Sequence, residues 1–184
     1  MSKGITAPLT QIDDGANDPE NQLGSVIVDP ANGREFQYCK IYCGAVSTSL
    51  IQRVAVAKSG QTTGSAFEHV VTIDHTDGYT NQPKGLLLGT PTAAKMSDDT
   101  LATGYCYGWL MRKGPLGQKQ GAFGGLDSST LTLVTNGAVA AGDSLMCSAD
   151  AVIPMTAGNE DHVCGMALCA DSGTDLVDGS LDCR

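Results

Sequence analysis

Apolar residues in this chain come in short runs, and clusters of Gly, Pro, Asp, Asn and Ser cut between them. Few segments are long and periodic, which favours many short strands and tight turns over helices. GSVIVD reads as a strand and PANG as a turn, because Pro30 presets its dihedral and Asn32-Gly33 tolerates positive φ. REFQYCKIYCGAV follows with Phe36, Tyr38 and Lys40 on one parity and Gln37, Cys39, Ile41 and Cys43 on the other, so it pairs with GSVIVD as a hairpin. Residues 45–58 read two ways. Ser47 or Thr48 can cap a short helix striped by Leu50 and Val54, and Leu50-Ile51 with Val54-Ala55-Val56 equally suits strand; a short helix or irregular turn leading into a strand is the preferred reading.

Further along, SGQTTGSA is a loop, AFEHVVTID alternates as a strand, and HTDGYTNQP is a second loop. KGLLLGTPT is a short strand closed by Pro91, and AAKMSDDTLATG is a loop with room for one helical turn. GYCYGWLMRKG is a strong strand with Tyr105, Tyr107, Trp109 and Met111 on one face and Cys106, Leu110 and Arg112 on the other. After a Gly-rich connection, TLTLVTNGAVAAGDSLMCSADAVIPM supplies three short strands, with turns at Asn136-Gly137, Gly142-Asp143 and Ala149-Asp150; HVCGMALCA and GSLDCR complete the set. The sum is about nine to eleven short strands and at most two short helices, an all-β fold. The expected form is a compact β-barrel or β-sandwich of short antiparallel strands. No period of about twenty to fifty residues repeats, which argues against a solenoid. Residues 1–22 are polar and read as an extended N-terminal arm, and 23–184 as a single β-rich domain.

Charge sharpens this picture. The net charge is −9, and residues 120–184 carry nine acids and one base, Arg184, against eleven acids and ten bases in 1–119. Such a surface repels phosphates, so no direct nucleic-acid partner is expected. The acidic half either keeps the domain soluble or faces a basic partner. No run approaches a membrane helix, and MSKGITAPLTQIDDGANDPENQ lacks the apolar core of a secretory signal, so a chain made in a cytosol-like compartment is expected. The seven cysteines, an odd number, sit mostly in apolar runs and read as small buried hydrophobes rather than a disulfide framework.

Candidate chemistry is thin. Cys39 and Cys43 fall on one strand face about 13 Å apart, and a gap of five puts Cys164 and Cys169 on opposite faces. Neither pair suits one tetrahedral zinc, with or without His69, His75 or His162, and no C-x2-C knuckle is present. No G-x-S-x-G or comparable signature surrounds a Ser or Cys, and Gly121-Ala-Phe-Gly-Gly lacks the Lys-Ser/Thr of a P-loop. No catalytic residue, metal or cofactor is therefore expected. The row Tyr105, Tyr107, Trp109 is left as core, as a subunit contact, or as a sugar-binding platform.

An ordered series of motifs carries a resemblance. It runs through LGSVIVDPANGREFQYCKI, GYCYGWLMRKGP with Tyr107-Gly108-Trp109, the turn from Gly137 to Leu145 holding AGD, and the strand Cys164-Gly165-Met166-Ala167-Leu168. In these features, over about two thirds of its length, the chain resembles the small head-decoration (cement) proteins of tailed bacteriophages. The resemblance implies a non-enzymatic virion protein on the outer capsid surface, trimeric or dimeric, that clamps neighbouring major capsid protein subunits. Its N-terminal arm would reach across the shell, which makes Ile5, Pro8, Leu9 and Ile12, with Tyr105, Tyr107 and Trp109, the expected partner-interface residues. The seven cysteines and residues 58–100 have no counterpart in that pattern. A virion-surface module binding glycans or host through Tyr105, Tyr107 and Trp109 is the second expectation, and a small β-barrel enzyme using Cys or His the third.

Overall fold

The computed structural model describes residues 8–44, 53–60, 69–117, 133–135, 137–147, 152–154, 163–170, 175–176 and 179–183. The first hairpin shows how turn chemistry sets the fold. Strand β1 (Val26–Asp29) ends on Asp29, whose carboxylate accepts from Ala31 N at 3.0 Å and from Asn32 Nδ2 at 2.8 Å. Gly33, at φ +64°, then turns the chain into β2 (Arg34–Tyr42), with Asp29 opposite Arg34 and Val26 opposite Gln37. Only glycine takes that φ without steric cost.

Five strands close into a barrel: β2, β3 (Val54–Lys58), β4 (Val70–Thr72), β5 (Gly78–Leu87) and β6 (Tyr105–Leu116). Their order is β2-β4-β3-β5-β6, and β6 returns to pair with β2 from Tyr42↔Tyr105 to Glu35↔Lys113. The β2–β4 pairing is parallel and the other four are antiparallel. The far end of β6 continues the sheet outward through β12 (Gly179–Asp182), β10 (Val163–Ala167), β8 (Ser144–Cys147) and β9 (Val152–Pro154). A separate pair joins β7 (Leu133–Val134) to β11 (Asp175–Leu176). The fold is all-β, as expected; the described residues hold twelve strands and two 3-10 turns, His75–Asp77 and Ala93–Lys95.

Two apolar cores explain the alternation along β2 and β6. The barrel interior collects Cys39, Ile41, Cys43, Ala55, Val71, Ile73, Leu87, Cys106 and Leu110, joined by Ile12 and Met96 from outside the strands. A five-stranded barrel is narrow, so its interior mixes small side chains (Cys39, Cys43, Ala55, Cys106) with aliphatic ones (Ile41, Ile73, Leu87, Leu110) and holds no aromatic ring among the described residues. The outer face carries Phe36, Tyr38, Trp109 and Met111, which pack with Leu145, Cys147, Cys164 and Leu181 of the extended sheet. Most of both faces of β2 and β6 is thus buried, with the aromatic residues on the outer face and Lys40, Tyr42 and Tyr105 left partly exposed at one end.

Several expectations change here. HTDGYTNQP, expected as a loop, forms the first 3-10 turn and the start of β5. Pro83 is tolerated in that strand because the ladder to β3 shifts register on both sides of Val56, its partner. Of residues 45–58, the described part is strand β3, and 45–52 lie outside the described residues. The opposite-face placement of Cys164 and Cys169 fails because β10 stops at Ala167; both side chains contact the outer core. Residues 8–22, expected as an arm, lie along the barrel, with Leu9 in the outer core, Ile12 in the barrel core and Asp13 bridged to Tyr107. Gly121-Ala-Phe-Gly-Gly, Asn136, the Ala149-Asp150 turn and His162 lie outside the described residues.

Candidate interaction surface

The β2–β6 register turns scattered tyrosines into a ladder. Tyr42 faces Tyr105, Lys40 faces Tyr107 and Tyr38 faces Trp109, all on the outer side of the barrel. Ring centroids follow at 5.7 Å (Tyr42–Tyr105), 5.8 Å (Tyr105–Tyr107), 6.4 Å (Tyr107–Tyr38) and 5.2 Å (Tyr38–Trp109). These are the offset and edge-on separations that favour aromatic pairs.

One end of the ladder is core. Trp109 is 1% exposed and Tyr38 is fully buried, so Trp109 offers no ring face to a sugar. The Tyr38 hydroxyl donates to the Asp13 carboxylate, which also accepts from Gln11 Nε2 at 3.2 Å. Burial first, and then that bond to Asp13, hold the Tyr38 hydroxyl far above the ordinary tyrosine pKa. Burial, reinforced by Tyr105, pushes Tyr107 up as well.

The other end is half exposed and cationic. The Lys40 ammonium sits 3.4 Å from the Tyr105 ring centroid and 5.5 Å from that of Tyr42. Lys58 approaches Tyr42 at 4.9 Å and forms an ion pair with Asp77. The structure therefore splits the expected row Tyr105, Tyr107, Trp109 into a half-buried end and a buried end. Among the expected arm residues, Pro8 is exposed, Leu9 and Ile12 are buried against the chain's own barrel, and Ile5 lies outside the described residues.

Sequence reasoning missed the residues that do present apolar surface. Val26 and Val28 are 48% and 56% exposed on β1, which among the described residues pairs with β2 alone. Met166 and Leu168 are 42% and 52% exposed, and Met166 stands between Ser180 of β12 and Ser144 of β8. The signal for Val26 and Val28 was present as the alternation of SVIVD; which parity faced out depended on the barrel.

Six of the seven thiols are buried, and Cys169 is partly exposed. Burial raises the Cys39 pKa to about 12. A bond to the Cys43 thiol and then burial raise that of Cys106, and a bond to Cys164 and then burial raise that of Cys147. Such thiols are poor nucleophiles and poor ligands. Among the described residues no group of three or more His, Cys, Asp or Glu side chains is placed to hold a metal ion. His75 is buried, its Nε2 2.6 Å from the carbonyl of Val54. Comparison of the chain with protein-family models, curated proteins and solved structures found no match.

Proposed function

We propose that this chain is a structural binding protein that decorates the outer surface of an assembled phage capsid and cements neighbouring major capsid protein subunits, acting as a homo-oligomer. The observation that supports the reading is the pair of exposed apolar sites, Val26 and Val28 on β1 and Met166 and Leu168 at the end of β10, which together with Tyr79 are the exposed large apolar side chains among the described residues. Exposed valines on an edge strand suit main-chain pairing with another chain, and apolar residues framed by serines suit the core of a subunit contact. Leu9 and Ile12 are engaged with the barrel, so contact with a shell falls to these two sites rather than to them.

The mechanism is thermodynamic. A protein that binds the expanded, assembled shell and not its free subunits stabilises the shell by that difference in affinity. Two sites on one rigid domain bridge two shell subunits, so the second contact forms at high effective concentration. The test is co-sedimentation of the purified chain with expanded capsids and with unassembled capsid protein. Binding to capsids alone, weakened by Val28→Lys and by Met166→Lys, is the expected outcome. Equal binding to both preparations, or none to either, refutes the reading.

A further inference from the structure

The half-exposed end of the tyrosine ladder holds two ammonium groups around one ring, with the carboxylate of Asp77 beside one of them. Lys58 takes that carboxylate, and Ser59 Oγ donates to it at 3.0 Å, so Asp77 is satisfied without Lys40. Among the described residues no carboxylate lies within ion-pair distance of Lys40. Its side chain is partly buried, and its ammonium is held over Tyr105 and beside Tyr42 rather than ranging through solvent. In a chain with nine more acids than bases, a pre-positioned cation with no ion-pair partner among the described residues stands out.

We propose that Lys40, framed by Tyr42, Tyr105 and the Lys58–Asp77 pair, is a docking point for a Glu or Asp side chain on an acidic segment of a protein partner. The aromatic rings fix the ammonium and leave the N–H donors that face away from them for an incoming carboxylate. Side-chain entropy, which cancels much of an ordinary surface ion pair, has already been spent in the free protein. The ring faces that a sugar would stack on are occupied by the ammonium groups, which favours a side-chain carboxylate over a saccharide. The inference rests on the reading of the chain as a binding protein and names one contact within it.

The test uses the full chain and hexaglutamate at low salt, with hexaglutamine and glucuronate as parallel probes and the amine signals of Lys40 and Lys58 followed by NMR. Hexaglutamate should shift the Lys40 signal saturably and hexaglutamine should not. Lys40→Gln should weaken binding about three- to fivefold, as loss of one ion pair does, while Lys40→Arg and Lys95→Gln, the latter at an exposed lysine, should leave it within twofold. Absence of hexaglutamate binding, an unchanged affinity in Lys40→Gln, or saturation by glucuronate without hexaglutamate each overturns the proposal. Capsid co-sedimentation is scored separately: its failure removes the capsid partner and leaves the Lys40 result standing.

Discussion

Ile12 is the residue through which the N-terminal segment enters the barrel core, and its fit against Gly108 can be tested quantitatively. Gly108 lies on β6 opposite Cys39. A Cβ built there would stand 2.9 Å from Ile12 Cδ1 and 3.3 Å from Ile41 Cδ1. Carbon atoms prefer about 3.5–4.0 Å, so Gly108→Ala crowds both side chains. Ile41 is fully buried in the interior, which leaves Ile12 as the group that must withdraw. Overpacking of this kind costs about 1–3 kcal/mol, against about 0.5–1 kcal/mol gained by replacing a strand glycine with alanine. The net expectation for Gly108→Ala is a loss near 1 kcal/mol.

Ile12→Val removes the crowding atom and alone costs about 0.5–1.5 kcal/mol. In the Gly108→Ala background the same change should be nearly neutral, because the lost contact is also the clash. The two substitutions should therefore couple by about 1 kcal/mol. Urea titrations report this directly, since Trp109 is the only tryptophan and is buried. For a domain of this size 1 kcal/mol also moves Tm by about 2–4 °C. Additivity within about 0.5 kcal/mol would refute the packing of residues 8–13 against the barrel core, because uncoupled sites add to that accuracy.

Alkaline pH should unfold the chain through its buried thiols. The folded pKa of Cys39, about 12, lies above its ordinary 9.0, so its contribution is whole below pH 9 and is lost as pH rises toward 12; Cys39→Ala should make the fall in urea midpoint between pH 9 and 10.5 shallower, by up to about 1.4 kcal/mol per pH unit, and an unchanged slope would contradict the assignment. Among the described cysteines, iodoacetamide on the native protein at pH 8 should modify Cys169, the one partly exposed, well before Cys39, Cys106, Cys147 or Cys183; mass mapping that finds Cys39 labelled as fast as Cys169 rules this out. Tyr38→Phe removes the donor to the buried Asp13 carboxylate and should cost about 1–3 kcal/mol in urea titrations, a loss below 0.5 kcal/mol being incompatible with that bond. Val28→Lys should change stability by less than about 0.5 kcal/mol because Val28 is exposed, so a large loss of stability would place Val28 in the core instead.

The local grammar of the fold was legible, and its long-range pairing was not. Pro30, Asn32 and Gly33 announce the first hairpin because a turn is a property of four consecutive residues, and the structure adds the Asp29 carboxylate that holds it. The alternation of β2 and β6 was legible for the same reason. Closure of the barrel depends on β2 meeting both β4 and β6, and the parallel β2–β4 pair leaves no mark in either strand's own pattern. The start of β5 was not legible in HTDGYTNQP because Pro83 sits in a strand only where the ladder is interrupted; the bulged pairing around Val56 supplies that, and it involves β3, far away in sequence. Cys169 misled because the parity of Cys164 was carried past Ala167, where the strand ends.

The interaction surface was legible only where composition and pattern coincide. Tyr105, Tyr107 and Trp109 were conspicuous as an aromatic row, yet the pleat sends Tyr107 and Trp109 under the chain, and only Tyr105 keeps an edge in solvent. Lys40 and Tyr42 were inconspicuous, and they acquire their meaning from the partner strand that places Tyr105 against Tyr42. The acidic half of the chain suits either solubility or a basic partner, whereas the role proposed for Lys40 is toward an acidic group. The two are compatible because screening confines each to its neighbourhood: at physiological ionic strength charges about 8 Å apart barely feel one another through water. On the proposed reading, the held Lys40 ammonium would orient a partner as well as attract it, since a rotated partner would leave both Lys40 and its own carboxylate unmatched.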